Sequence, residues 1–119
     1  VIVAHDCPKQ LKKLLNSLAN QLRRADEVVI IDNHPEHKSS MIAKQFTFVS
    51  KILETKNYGF AHGCNTGTKV LSKKIELIFL LLCTTFPQPP RLPPLNPLVS
   101  IRLPSSGNGS LFMKNIFIF

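Results

Sequence analysis

The chain opens on a continuous apolar run, Val1-Ile2-Val3-Ala4, that stops at His5-Asp6 and predicts a buried strand. From Pro8 the rhythm changes. Proline suits the first turn of a helix, where its missing N–H is not needed. Leu11, Leu14, Leu15, Leu18 and Leu22 then recur at helical spacing and predict an amphipathic helix. Lys9, Lys12, Lys13, Asn16, Asn20 and Arg23 take its other face, and Arg23-Arg24 near its end complement the helix dipole. Glu27 to Ile31 is a second apolar run, cut off at Asp32-Asn33-His34-Pro35. A short helix over Ser39 to Lys44 and a third strand over Phe46 to Leu53 follow. Three glycines at four-residue steps, Gly59, Gly63 and Gly67, then mark the stretch Asn57 to Gly67. A helix leads out of it through Val70 and Leu71 to Lys73-Lys74, and Ile75 to Leu82 is the fourth strand.

Strands that are continuous rather than alternating, each separated from the next by a helix, describe a parallel sheet covered on both faces. The order β-α-β-α-β-α-β with right-handed crossovers gives a three-layer α/β, doubly wound sheet with strand order 3-2-1-4. Ligands of such sheets bind beyond the carboxyl ends of the strands. His5-Asp6, Asp32-Asn33 and the Asn57–Gly67 stretch all fall at those ends and are expected to converge.

Beyond residue 82 the pattern dissolves. All seven acidic residues lie at or before Glu76, and seven of the nine prolines lie after it. Phe86 to Pro97 cannot continue as helix or central strand, and Ser105 to Ser110 reads as a linker. Leu111 to Phe119 is apolar and β-prone with no evident place in the sheet. Residues 1–82 are therefore read as the folded unit and 83–119 as an irregular Pro-rich tail. The abrupt change points to a shift of coding frame near residue 83. The start at Val1, without Met, is read as an upstream truncation or an alternative start.

Composition narrows the picture further. A chain of 119 residues holds at most one domain. The net charge of +8 raises nucleic acid or an anionic membrane surface as partners, yet the basic helix face lacks interleaved aromatics and reads as solvated. Cys7, Cys64 and Cys83 form neither a CxxC pair nor a disulfide framework, which places the chain in a reducing compartment. The run Leu77 to Cys83 is too short to cross a bilayer.

Candidate chemistry rests on few residues. Gly67-Thr68-Lys69 has the wrong order for a P-loop, and the glycine spacing does not fit a dinucleotide fingerprint. Gly63 and Gly67, one helical turn apart, either let a helix lie close on the sheet or help present amides to an anion. Asp32 either caps the turn that follows it or accepts hydrogen bonds from a ribose or base. His34 and His37 lack a third metal ligand. Cys64 and His62 do not form a nucleophile pair by adjacency alone.

Taken together, residues 1–82 resemble the nucleotide-binding half of family 2 (GT-A fold) glycosyltransferases. The resemblance rests on Val1 to Asp6 with its Leu-rich helix to Gln21, on Val28-Val29-Ile30-Ile31-Asp32-Asn33, and on Asn57-x-Gly59-Phe60-Ala61-x-Gly63-x-Asn65-x-Gly67. The last is similar to the form in rhamnosyl- and galactofuranosyltransferase-like members. The resemblance implies a UDP- or dTDP-sugar donor and a saccharide or lipid-linked acceptor, with no nucleic-acid partner. It further implies a location in the cytoplasm or peripheral to its membrane face. Asp32, with Asn33, would hold the base or ribose, helped by Ala4, His5 and Asp6; Asn57, Gly59, Gly63 and Asn65 would approach the nucleotide and diphosphate. The family commonly uses Mg2+ or Mn2+. Its metal-binding carboxylate segment is expected after the fourth strand, where this chain has Cys83-Thr84-Thr85-Phe86-Pro87, and Asn96-Pro97 is followed by Leu98. Pro35 stands where members carry serine, and no acid follows Glu76 to serve as catalytic base. The expectation is a donor-binding half without metal ligands or catalytic residues.

Overall fold

The computed structural model describes residues 1–84 and the backbone of a strand at 115–118. In chain order the elements are β1 (Ile2–His5), α1 (Pro8–Ala19), β2 (Val29–Asp32), α2 (Lys38–Ala43), β3 (Lys51–Glu54), α3 (Phe60–Lys69), β4 (Leu77–Thr84) and β5 (Asn115–Ile118). The strands pair in parallel in the order β3-β2-β1-β4-β5. The expected 3-2-1-4 sheet is therefore present, extended by one strand. Within the apolar stretch Leu111 to Phe119, the described residues Asn115–Ile118 do have a place: β5 pairs with β4 from Leu77↔Asn115 to Leu80↔Ile118, along an edge that β4 would otherwise leave unpaired. The rest of the tail lies outside the described residues.

Each face of the sheet carries its own core. On one face Ile2, Ala4 and Ile30 pack with Leu11 and Leu15 of α1 and Ala43 of α2. On the other, Val3, Val29 and Ile31 pack with Cys64 of α3 and with Ile78 and Leu80 of β4. Leu11 and Leu15 are wholly buried, worth about 1.5–3 kcal/mol each relative to exposure. β1 and β2 are buried along almost their whole length; β4, although interior, alternates buried and exposed positions, and the edge strand β3 is exposed at both ends and half-buried between. A continuous apolar run thus marks a parallel strand without saying whether it is central.

The elements end where local hydrogen bonding ends them. α1 stops at Ala19 rather than reaching Arg24, because Asn20 turns back and its Nδ2 donates to the Asn16 carbonyl at 2.9 Å. Leu22 consequently lies fully exposed, and neither Arg23 nor Arg24 sits in the last helical turn. β3 begins at Lys51, because Phe46 to Val49 fold into a turn closed by the Val49 N–H on the Phe46 carbonyl at 3.3 Å. Phe46 and Phe48 meet edge to face there and pack under the α1 core. β4 runs past residue 82: Cys83 is buried beside Ala4, and the Cys7 thiol donates to its carbonyl at 2.9 Å. The hydrogen bond with Cys7, together with burial, pushes the Cys83 thiol up, so it stays protonated.

α3 begins inside the glycine stretch, at Phe60, and closes at Lys69 instead of continuing to Lys74. Gly63 and Gly67 face the sheet. A Cβ at Gly63 would lie 2.8 and 3.0 Å from the methyls of Val3, and one at Gly67 would run into Val1. The two glycines are the close-approach surface of the helix on β1.

Asp32 organises the turn after β2. Its side chain has no exposure. One carboxylate oxygen accepts the His34 N–H at 3.2 Å and the other the Ser40 N–H at 2.7 Å. The second bond satisfies an otherwise orphaned amide in the first turn of α2, where a negative charge also meets the helix dipole favourably. The capping reading of Asp32 therefore describes its contacts in this fold.

Two outcomes follow. Gly63→Ala gains about 1 kcal/mol of helix propensity but overpacks against buried Val3, costing about 1–3 kcal/mol. Urea denaturation should show net destabilisation in the native background and net stabilisation beside Val3→Ala; equal effects in both backgrounds would contradict the close packing. Asp32→Asn leaves one of the two amides facing an NH2 group and should cost about 1–3 kcal/mol, measured the same way.

Candidate functional site

The sheet order brings three connections to one end of the molecule: the β1–α1 turn, the β2–α2 turn and the β3–α3 loop. Adjacent central strands make this possible, since β1 lies beside β2 and β2 beside β3. Asn33 is the hub. Its N–H donates to the Ala4 carbonyl at 3.1 Å, extending the β1–β2 pairing by one residue. Its side chain is buried and reaches both ways, with Oδ1 2.9 Å from His5 Nδ1 and Nδ2 3.3 Å from Asn57 Oδ1. Asn57 Oδ1 in turn accepts the Gly59 N–H at 3.0 Å. One chain of side-chain hydrogen bonds therefore joins the ends of β1 and β2 to the N-cap of α3.

Gly59 makes the last link possible. It holds φ 90°, ψ 170°, a region essentially restricted to glycine, and a Cβ there would meet only open space. Its role is thus conformational, unlike the packing roles of Gly63 and Gly67. The helix it starts has no side-chain cap and no acidic residue in its first turn. The first amides of such a helix lack intrahelical acceptors and attract anions.

The rim is aromatic and polar. The His5 ring meets His34 edge to face, with centroids 5.1 Å apart, and Tyr58 packs at 5.0 Å on His62 of the first turn of α3. Asp6 is exposed, with φ 46°. Beneath the rim, Ser40 Oγ, His37 Nδ1 and Thr55 Oγ1 are buried with no partner among the described residues. Ser40 touches Asp32 through its amide, and the Thr55 N–H donates to the Asp32 carbonyl at 2.9 Å. Asp32 thus meets the Ser40 amide through its carboxylate and the Thr55 amide through its backbone carbonyl.

The sequence-predicted residues separate into four placements. His5, Asp6, Asn33, Asn57 and Gly59 come together at the strand ends. Ala4 and Asp32 lie directly below, without exposed surface. Gly63 is buried against Val3. Asn65 is exposed on α3, six residues past Gly59, which is about 9 Å along the helix axis at 1.5 Å per residue; it does not join the cluster. His34, Tyr58 and His62 were not in the predicted set, although each stands within two residues of a predicted position. Cys64 faces the sheet, where burial pushes its thiol up, and His62 is exposed, so the two do not form a nucleophile–base pair.

Among the described residues no group of three or more His, Cys, Asp and Glu side chains is placed to hold an ion, and the Asp32 oxygens are engaged by backbone amides. No helix among the described residues is long and apolar enough to cross a membrane.

Comparison with curated proteins and with solved structures returned no match. The family model described as glycosyl transferase family 2 matches residues 1–82, the span that carries β1 to α3 and most of β4. With the match covering more than half of the chain and the strand ends converging as described, this chain belongs to glycosyl transferase family 2.

Proposed function

We propose that the strand-end cluster binds the nucleotide part of a nucleotide-sugar donor, in the manner of rhamnosyl- and galactofuranosyltransferase-like members. UDP- or dTDP-sugars are the donors meant, and the transfer served is to a saccharide or lipid-linked acceptor at the cytoplasmic side. The observation that carries this reading is the hydrogen-bond chain His5–Asn33–Asn57–Gly59. It pre-orders polar groups from three connections around one space, and pre-ordering lowers the entropic cost of binding. Next to it the uncapped N-terminus of α3 suits a diphosphate. Ala4 and Asp32 act from below, Asp32 by holding the β2–α2 turn in shape, while Gly63 sets α3 on the sheet and Asn65 is the outer position on that helix.

Transfer itself needs more than this chain supplies. In the family's chemistry Mg2+ or Mn2+ neutralises the diphosphate leaving group, and a carboxylate deprotonates the acceptor. No acidic residue follows Glu76. The α/β unit that carries the strand-end cluster is accordingly a donor-binding half, and the 119-residue chain a binder rather than a catalyst.

Isothermal titration of the purified chain with UDP- and dTDP-sugars should give saturable binding. Asn33→Ala and Asn57→Ala should each weaken it about tenfold, the loss of one or two hydrogen bonds, whereas Lys12→Ala on the far face of α1 should not. Absence of saturable heat, or full affinity in both folded asparagine variants, would sink the reading. Sugar transfer above a no-protein blank would contradict the assignment as a binder only.

A further inference from the structure

The sheet sets two cysteines against each other. β1 and β4 are neighbours, with Ala4 beside Cys83 and His5 beside Thr84. Beyond His5 the chain bends at Asp6, whose φ of 46° lies in the left-handed region, and Cys7 returns over the end of β4. The Cys7 thiol donates to the Cys83 carbonyl at 2.9 Å, and the Cys83 sulfur lies 3.8 Å from the Cys7 carbonyl oxygen. The two thiols are also within hydrogen-bond reach of each other. Both are buried in the core of one sheet face, whereas Cys64 lies in the opposite core, beneath α3.

A buried free cysteine packs as a small apolar side chain and needs no second thiol against it. We propose that Cys7 and Cys83 are a redox-active pair that closes to an intramolecular disulfide, tying the β1–α1 turn to the end of β4. In a reducing compartment such a bond is transient and responds to oxidation. The pair is independent of what the strand-end cluster binds, yet it acts on that cluster. Cys7 follows directly on His5 and Asp6, so the bond fixes the turn that carries them.

The oxidant meant is a low-molecular-weight disulfide of the glutathione class. The Cys7 thiolate attacks one of its sulfurs and releases a small thiol, leaving Cys7 as a mixed disulfide. The Cys83 thiolate then attacks the Cys7 sulfur and releases the second small thiol. Two protein thiols and one small disulfide thus become one protein disulfide and two small thiols. Cys7 is placed to react first. It is the N-cap of α1, where helix amides favour a thiolate, while Cys83 lies within a paired strand. Both sulfurs being buried, exchange waits on local opening of the turn at Asp6, which relaxes its left-handed backbone.

Oxidation of the purified chain by glutathione disulfide, quenched with iodoacetamide and read by peptide mass mapping, tests the pair. The folded chain should lose two hydrogens, join Cys7 to Cys83 and leave Cys64 alkylated, and dithiothreitol should restore the free cysteines. In urea, loop-closure entropy should instead favour Cys64–Cys83, the pair nearest in sequence. Cys83→Ser should halt at a glutathione adduct on Cys7. A folded chain that stays reduced, stops at adducts on both cysteines, or gives the mixture formed in urea overturns the proposal. Amide hydrogen exchange at His5 and Asp6 should slow on closure, since the turn can no longer open; unchanged exchange overturns the tie to that turn.

Discussion

The backbone N–H of Gly59 is the fixed point of this molecule's functional end. It sits at the N-cap of α3 in a conformation that other residues adopt only under strain, and it can act only as a donor. From it the orientations of Asn57, Asn33 and His5 follow in turn. Three connections far apart in sequence are thereby held as one surface. The linkage works because β1 and β2 are the adjacent central strands of the sheet, with β3 alongside. A different strand order would leave Asn33 without its neighbours.

Beneath that surface, residues of similar kind do different work. Asp32 and Asn33 are consecutive and both buried, yet Asp32 turns down to hold α2 and its preceding turn, while Asn33 reaches across to β1 and the α3 loop. Gly59, Gly63 and Gly67 recur at equal steps, yet the first supplies a backbone conformation and the other two supply closeness to Val3 and Val1. The packing of α3 on β1 and the placement of its N-terminus are thus coupled. Moving the helix outward to accommodate a side chain at Gly63 would also shift the Gly59 amide that orders the site.

Much of this was legible in the sequence, for identifiable reasons. Alternating apolar strands and helices fixed the parallel sheet and its order, and the four-residue glycine step carried the close helix packing that the structure contains. Boundaries were less readable where one side chain decides them. Leu22 continues the leucine periodicity, but the Asn20 side chain ends the helix before it. Phe46 and Phe48 look like strand residues, but they close a turn and pack under α1. β5 escaped notice because a parallel edge strand depends on a long-range pairing with β4 that no local pattern encodes. At the site, strand-end position identified Asn33 and Asn57, whereas their partnership is a contact across 24 residues. Asp32 has the sequence position of a ligand residue, and only its burial separates a supporting role from a contacting one.

A nucleotide site at the converged strand ends is tested most directly by following the backbone amides of the 15N-labelled chain during a titration with UDP. Binding there predicts saturable shift changes concentrated at His5, Asn33, Asn57, Gly59 and the first turn of α3, with the far face of α1 unmoved. Shifts confined to the lysines of α1, or no saturable change at any amide, would contradict it.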